Sequence, residues 1–347
     1  MSWKRDALEL AVAACYRFAP RLKEAPPEPR SIFVLRNNDL GDLLVVTPLF
    51  DALRRRFPRA RIVAGVGEWA APILDQNPNV DEVRIVNAPW HNHSVMPRGK
   101  FAQLVASIGF ILRYTETTRH DIGIDVVGSP FGSLLLMRAG IPFRLGVRGY
   151  AGGHSAAQRY VEFNSNEHVG RSALRFAELL GAKDLPENRP QLFIEKPPET
   201  DEIVFAPGGG YAEKCWPIEF FVELAKKLSK FRIVVIGGQH DCAAGQLLAS
   251  AGNHVCNKTG LLTLRESFAA IAASRLVVCN SSVAMHVAAA FRKPCAVVLG
   301  QALPDTEQHA LQWAYHETIV LGKSSEENVP SVVRVIQALR KIGLNIL

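Results

Sequence analysis

The sequence has no long apolar run. None of its 347 residues lies in a stretch near the roughly 18 uninterrupted apolar residues of a membrane span. The opening segment, MSWKRDALELAVAACYRFAPRLK, is interrupted by charge and lacks a convincing cleavage site for a secretory signal. Membrane-spanning and secreted proteins are therefore disfavoured, and we expect a cytoplasmic protein.

Cysteine is scarce and scattered. The six cysteines form no CxxC pair, so metal-ligand spacing is absent, and a disulfide framework is improbable in a chain of this size. His91 and His93 form an HxH pair, but in a segment with Pro and Asn and without acidic or cysteine neighbours, which favours a loop over a metal site. We expect neither a metal nor a cofactor.

Charge is modestly basic, at +7, and much of it comes from arginines such as Arg54, Arg55 and Arg56. Such a surface suits phosphorylated small molecules, anionic lipid headgroups or nucleic acid, and a merely solvated surface explains it equally well. Nucleic acid is the weakest of these, because no basic-aromatic stripe or binding module is present. An N-terminal helix near 3–18, flanked by basic residues, is predicted to pack on its own protein, with peripheral contact to the inner membrane surface as the alternative.

Strands and helices alternate along the chain, which predicts an α/β protein with parallel sheets built from βαβ units. The segment 185–200 holds four prolines and is the best linker. We therefore predict a domain at 1–184, a linker at 185–200 and a second domain at 201–330. A basic amphipathic helix at 331–347 is expected to pack back on the linker or the first domain. The predicted strands are 31–36, 61–66, 82–86, 121–127, 143–147, 202–206, 231–236, 275–279 and 295–299.

One motif is misleading. Gly65 to Ala70 matches the G-x-G-x-x-A dinucleotide fingerprint after a strand. However, this is the second predicted strand of its domain, and no acidic residue ends a well-placed strand about 20 residues later. A tight βα turn explains the pattern, and we disfavour a nicotinamide enzyme.

Gly41-Asp42 is the most informative dipeptide. It follows the apolar strand SIFVL and opens a predicted helix over 42–57. Ligands of open α/β sheets bind at the carboxyl ends of strands, and an acid in the first turn of a helix is favoured as a carboxylate. Asp42 is therefore a candidate general base, with a simple helix cap as the alternative.

The second predicted domain carries phosphate-binding chemistry at several strand ends. Pro207-Gly208-Gly209-Gly210 follows one strand, with Lys214 soon after. Glycine-rich turns expose backbone N–H groups to anions, and the hydroxyls of Ser281 and Ser282 open a further helix. His286 lies four residues after Ser282, on the same helix face.

Six segments together resemble one family. They are LGDLLVVTP (40–48), FPRARI (57–62), NPNVDEV (77–83), PGGG…K-WP (207–217), NKTG…TL (257–264) and NSSVAMHVAA (280–289). In their order and spacing, from about Ile32 to Gly300, the chain resembles the ADP-heptose:lipopolysaccharide heptosyltransferases of glycosyltransferase family 9.

The resemblance implies a GT-B architecture, with two Rossmann-like domains facing across a cleft. It implies that Asp42 is the catalytic base, that Lys214 binds the donor diphosphate, and that His286 is a donor-domain histidine. Ser282 occupies the hydroxyl position of the family's D-[ST]-G-x-x-H motif. The residues that we predict to bind the donor are Gly209, Gly210, Lys214, Gly238, Thr259, Gly260, Leu262, Ser281, Ser282, Val283 and His286. Those that we predict on the acceptor side are Arg36, Asn37, Asn38 and Gly41.

The implied activity is an inverting, metal-independent transfer of a sugar, with heptose first. The donor is ADP-heptose or another nucleotide diphosphate sugar, and the acceptor is an anionic lipopolysaccharide-core glycan or other glycan or glycolipid. Ser281-Ser282-Val283 departs from the family's Asp-[Ser/Thr]-Gly turn, which puts the identity of the donor or the strength of its binding in question. A GT-B nucleotide-sugar epimerase and a non-catalytic nucleotide-sugar-binding homologue are the alternatives.

Overall fold

The computed structural model of the protein describes residues 3–90, 97, 99–303 and 305–344, without the side chains of residues 3–8 and 11. The chain divides into two compact units, Met1–Asn188 and Arg189–Leu347. The boundary falls within the proline-rich segment 185–200. No helix in the described part of the chain is long and apolar enough to cross a membrane.

The first unit alternates strands and helices, as the sequence pattern predicts. Its strands are β1 Ser31–Leu35, β2 Arg61–Val66, β3 Glu82–Ile85, β4 Ile122–Asp125, β5 Phe143–Arg148 and β6 Arg159–Glu162. Its helices are α1 Trp3–Tyr16, α2 Leu40–Leu44, α3 Pro48–Arg56, α4 Lys100–Arg113, α5 Pro130–Arg138 and α6 Val169–Leu179, with 3-10 turns at Glu68–Leu74 and Gly153–Ala156.

All six strands are parallel and follow the order β3-β2-β1-β4-β5-β6. This is the Rossmann order, in which the chain direction across the sheet reverses between the first and the fourth strand. Strand β1 is buried at every position and pairs with both β2 and β4. The loops that follow β1 and β4 therefore meet at the point where such sheets bind ligands.

The predicted single helix over 42–57 is wrong in one respect, because it is interrupted. Pro48 has no N–H with which to bond the carbonyl of Leu44, so the helical ladder stops there. Thr47 supplies both replacements: its hydroxyl donates to the Leu44 carbonyl oxygen at 2.8 Å and its N–H at 3.2 Å. The result is a short α2 that carries Asp42, followed by α3, which begins at Pro48.

The second unit repeats the alternation. Its strands are β7 Ile203–Ala206, β8 Ile233–Val235, β9 Val255–Asn257, β10 Leu276–Cys279, β11 Cys295–Val298 and β12 Thr318–Leu321. Its helices are α7 Ile218–Lys227, α8 Cys242–Ala249, α9 Leu264–Ala273, α10 Val283–Ala290, α11 Thr306–Trp313 and α12 Val332–Lys341, with 3-10 turns at Ala212–Lys214 and Gln239–Asp241.

The sheet order, β12-β11-β10-β7-β8-β9, is the same Rossmann order, because β7 and β10 are the first and fourth strands of this unit. Every strand pair is again parallel. The predicted α/β class, with parallel sheets in two Rossmann-like units, is confirmed.

The C-terminal helix requires a correction. We expected it to pack back on the linker or the first domain, but its apolar face completes the core of its own unit. Val335 and Leu339 are fully buried among residues of α7 and the second sheet. Trp216, also in this core, donates its indole N–H to the Pro330 carbonyl oxygen at 2.7 Å, just ahead of α12.

Candidate active site

The candidate site of the first unit is the turn between β1 and α2. Asp42 lies in the first turn of α2 and receives two contacts from Arg36. The guanidinium Nε donates to the Asp42 backbone carbonyl oxygen at 3.0 Å, and Nη2 lies 3.2 Å from the carboxylate Oδ1. The carboxylate is partly exposed whereas Arg36 is buried. Because the contacts fix both the turn and the side chain, Asp42 is an oriented and accessible carboxylate.

The neighbouring polar residues form the floor of this turn. Asn37 is almost completely buried, and its Nδ2 has no hydrogen-bond partner within the described residues. Asn38 is also buried, and its carbonyl oxygen accepts a hydrogen bond from the Trp69 indole at 2.8 Å. The Gly41 carbonyl oxygen accepts the N–H of Val45, which belongs to the helical ladder. The Asn37 amide is thus a buried donor without a partner among the described residues, five positions before Asp42.

Asp125 is a site residue that the sequence analysis missed. It ends β4, pairs in register with Leu35 at the end of β1, and is 1% exposed. Burial raises the pKa of its carboxyl to about 6, although N–H bonds to its oxygens and the charge of Arg36 act in the opposite direction. Val127 and Ser129 donate these N–H groups at 3.2 and 2.9 Å. An acid within the apolar strand IGIDVV was the signal available in the sequence.

The second unit has a candidate site of its own, which lies where β7 and β10 end. Asn280 follows β10, is fully buried, and binds two segments that follow β7. Its Nδ2 donates to the Pro207 carbonyl oxygen at 2.5 Å, and its Oδ1 accepts the backbone N–H of Trp216 at 2.9 Å. Asn280 therefore fixes both ends of the glycine-rich segment that contains Gly209, Gly210 and Lys214.

A third loop closes around Lys214. The N–H of Gly300, after β11, donates to the Lys214 carbonyl oxygen at 3.1 Å. A side chain at Gly300 would approach the Cys215 carbonyl oxygen to 2.4 Å, so only glycine allows this contact between backbones. Buried His309 of α11 is a second missed residue: burial, and then the charge of Lys214, lowers its pKa to about 4.

The remaining donor-side residues form a second edge of backbone groups after β8 and β9. Gly238 donates its N–H to Asp241 at 2.8 Å, and Gly260, at φ +70°, donates to the Gly237 carbonyl oxygen at 2.9 Å. Thr259 is buried, and its hydroxyl donates to Asn257 at 2.7 Å. Leu262 is half-buried in the loop that leads to α9. The Thr259 hydroxyl and the N–H groups of Gly238 and Gly260 therefore all bond within the unit and hold these turns in shape.

The Ser281-Ser282-Val283 turn opens α10 next to the glycine-rich segment. Ser282 occupies the N-cap position, but its hydroxyl does not cap the helix. Val283 begins the helix and does not have a positive φ, so the backbone does not require glycine there. His286 is buried, with its Nδ1 3.4 Å from the Tyr315 hydroxyl and its ring packed edge-on against Trp313.

Within the ranges that the structure describes, no cluster of three or more His, Cys, Asp or Glu side chains is arranged to hold a metal ion. The HxH pair at His91 and His93 lies outside these ranges. The first unit offers an oriented carboxylate, which suits proton abstraction. The second unit offers a lysine among glycine-rich turns, which suits the binding of a diphosphate.

Comparison with known proteins identifies the family. Residues 113–335 match the model of glycosyltransferase family 9 (heptosyltransferase). Lipopolysaccharide heptosyltransferase 2 of Escherichia coli K12 is 28% identical over 305 residues, which cover 79% of this chain and 84% of that protein.

Two solved structures share the fold. A family 9 glycosyl transferase from Veillonella parvula has a TM-score of 0.73 at 20% identity, covering 92% of this chain and 99% of that one. The E. coli ADP-heptose lps heptosyltransferase II has a TM-score of 0.68 at 22% identity, covering 90% and 98%.

The protein is a glycosyltransferase, and it belongs to family 9. The resemblance inferred from the six sequence segments is thereby confirmed, as is the GT-B fold that it implied.

Proposed function

We propose that the protein transfers a heptose from a nucleotide diphosphate donor to a hydroxyl of a lipopolysaccharide-core acceptor, with inversion at the anomeric carbon. The observation that carries the proposal is the Arg36–Asp42 pair at the β1/β4 switch point. A partly exposed carboxylate that is held in place by a buried guanidinium is well prepared to accept a proton from a hydroxyl.

The chemistry is a single displacement. The Asp42 carboxylate takes the proton of the acceptor hydroxyl, whose oxygen forms a bond to the anomeric carbon. The bond from that carbon to the diphosphate oxygen breaks at the same time, and its electron pair leaves with the nucleoside diphosphate. Lys214 and the N–H groups at the start of α10 stabilise the charge on this leaving group.

Lys214 is also the reason for proposing that the reaction does not need a metal. A side-chain ammonium and fixed N–H groups supply the positive potential that a divalent cation provides in other transferases. Transfer should then proceed at an unchanged rate in a chelator, and a rate that falls with chelator and returns with a divalent cation would overturn this part of the proposal.

The relatives indicate the substrates. The E. coli relative is a lipopolysaccharide heptosyltransferase, and the E. coli structure is that of an ADP-heptose lps heptosyltransferase II. We propose the same donor and the same class of acceptor for this chain, and a cytoplasmic location for the reaction. A thermal-shift comparison of ADP, UDP and GDP tests the nucleotide, since a ligand that binds only the folded state raises its melting temperature.

The decisive variant is Asp42→Asn, which removes the base and keeps the size of the side chain. We expect transfer to fall by about 100-fold or more while ADP still binds, because the acid acts on the acceptor and not on the donor. Asp51→Asn is the matched control: Asp51 lies on α3 and pairs with Arg55, away from the strand ends. Full transfer by Asp42→Asn would remove Asp42 from the mechanism.

A non-catalytic nucleotide-sugar-binding homologue is the second candidate, and it is motivated by the Ser281-Ser282-Val283 turn, which stands where the family resemblance implies an Asp-[Ser/Thr]-Gly turn. Binding of ADP-heptose with no transfer to any of a panel of lipopolysaccharide-core acceptors would establish it. Incubation with the donor alone tests the epimerase, which needs no acceptor.

A further inference from the structure

Helix α4 of the first unit has an apolar face that the rest of the described protein does not cover. Phe101 is 79% exposed, Leu112 68% and Val105 54%. Leu104 and Ile108 are also exposed. These five residues, at spacings of three and four, form one continuous stripe along the helix, which we call the α4 stripe.

The opposite side of α4 packs against the rest of the first unit. Ser107 and Ile111 are the buried residues of the helix, and Phe110 packs edge-on against Trp90, with ring centroids 5.6 Å apart. Helix α4 also lies against α5. Since packing uses this side, the stripe is additional to what the fold requires. Contiguous exposed apolar patches mark interaction surfaces.

The charges on α4 indicate what the stripe meets. The helix, KFAQLVASIGFILR, has no acidic residue, and a basic residue stands at each end, Lys100 and Arg113. Neither forms an ion pair with another described residue. Long basic side chains at the ends of an apolar stripe reach phospholipid headgroups while the stripe enters the boundary with the acyl chains.

Helix α1 packs on α5, as α4 does, and its Val12 is fully buried against Met137. Just beyond α1, Phe18 is 90% exposed between Arg17 and Arg21. The N-terminal helix therefore packs on its own protein, as expected, and the segment that follows it repeats the combination of apolar and basic groups found on α4.

The position of α4 relates the stripe to the site. In a parallel sheet each helix starts beyond the carboxyl end of the preceding strand and runs back towards the start of the next. Helix α4 connects β3 to β4, so its N-terminal end, with Lys100 and Phe101, belongs to the edge of the sheet that carries Asp42. A membrane beside this end would hold a glycolipid near the acceptor side.

We propose that the α4 stripe docks the protein on an anionic phospholipid bilayer. This inference rests on the proposed function, because a lipid-anchored acceptor is what gives docking its purpose. A second copy of the chain is the other occupant to consider, but two copies would bring the basic ends of α4 into a shared apolar contact without acidic partners on this helix. The charge pattern favours the bilayer.

The test is co-sedimentation of the full chain with vesicles, in the absence of substrates. Vesicles of phosphatidylglycerol and phosphatidylcholine in equal amounts are compared with vesicles of phosphatidylcholine alone. We expect binding to the anionic vesicles that weakens in high salt, because the headgroup attraction is screened. The double variant Val105→Glu with Leu112→Glu should reduce this binding by about ten-fold or more, since it places two acids in the stripe.

The matched control is Leu311→Glu with Val333→Glu, which are 55% and 59% exposed in the second unit. This variant should bind vesicles like the wild type. Equal binding by the stripe variant would overturn the proposal. So would a wild-type dimer in sedimentation velocity that the stripe variant separates into monomers, because the stripe would then be an interface between copies.

A transfer assay keeps the two proposals apart. With a delipidated, water-soluble core acceptor, the stripe variant should transfer sugar at the wild-type rate, whereas with acceptor embedded in anionic vesicles it should be slower. Loss of transfer by wild type on both acceptors would contradict the proposed function and leave the vesicle-binding result to judge the docking surface.

Discussion

Arg36 contacts Asp42 at two atoms, its backbone carbonyl oxygen at 3.0 Å and its carboxylate at 3.2 Å. The guanidinium is itself buried at the end of β1, beside the end of β4. Its planar fork is what permits both contacts from one side chain. Arg36 therefore fixes both the backbone of the turn, through the Asp42 carbonyl oxygen, and the orientation of the Asp42 carboxylate, the proposed base.

Arg36→Lys retains the charge but loses the fork. We expect kcat to fall by about 10- to 100-fold with the KM for the donor unchanged, because a base that is displaced by an ångström transfers protons poorly. Initial rates at varied donor concentration measure both parameters. Arg54→Lys is the control, since Arg54 also joins a carbonyl oxygen, of Ala60, to a carboxylate, of Asp81, away from the site. Equal losses in the two variants would show that Arg36 is only structural.

Asn280 gives a prediction for the donor side. In Asn280→Asp the oxygen that accepts from Trp216 remains, but the amide donor to the Pro207 carbonyl oxygen becomes a second acceptor. A buried acceptor facing an acceptor costs about 1–3 kcal/mol, so we expect a lower urea midpoint and a higher KM for the donor. Asn253→Asp, at an exposed position, should change neither. An unchanged KM with a lowered midpoint would limit Asn280 to stability.

The lowered pKa of His309 predicts that the stability of the protein depends on pH. Its folded pKa of about 4 lies below the ordinary 6.5, so between these values the unfolded chain binds more protons than the folded one. The stabilising contribution is complete above pH 6.5 and is lost as pH falls towards 4. Relative to His309→Gln, the wild type should lose about 1–2 kcal/mol more unfolding free energy between pH 7 and pH 5. Parallel losses in the two proteins would contradict this.

The sequence predicts the strands whose own residues show a clear apolar pattern. SIFVL is apolar at every position because β1 is paired on both sides, and it was located within one residue. Strands β6, β9 and β12 were not predicted. Each lies at the edge of a sheet and has one partner. Strand β6, RYVE, is mixed in polarity and β9, VCN, has three residues, so these two resemble loops. Strand β12, TIVL, is apolar, and this reason does not apply to it.

The residues of the candidate site also fall into those that the sequence predicts and those that it does not. Asp42 and Lys214 follow strands with clear patterns, and segment order made them recognisable. Asp125 and His309 gain their environment from distant parts of the chain, through the approach of Arg36 and of Lys214. Their altered pKa values arise from burial in the folded unit, which no spacing within the sequence expresses.

Val283 gives the last prediction. It stands where the family resemblance implies a glycine, in the first turn of α10, whose N–H groups are proposed to bind the diphosphate. Its φ is not positive, so glycine would relieve no backbone strain, and any gain must come from space. Val283→Gly should therefore tighten ADP binding by about three- to ten-fold in calorimetry, with a small loss of stability from the flexible residue.

Val283→Ala separates the effect of side-chain bulk on ADP affinity from the effect of a flexible glycine backbone. It removes the branching but keeps Cβ, so affinity midway between wild type and Val283→Gly would show that bulk at the helix start limits the approach of the diphosphate. If neither variant binds ADP more tightly and UDP or GDP binds the wild type better, the valine is part of a pocket for another nucleotide. The turn would then set donor specificity in this chain, because a side chain that crowds one diphosphate geometry is a packing surface for another.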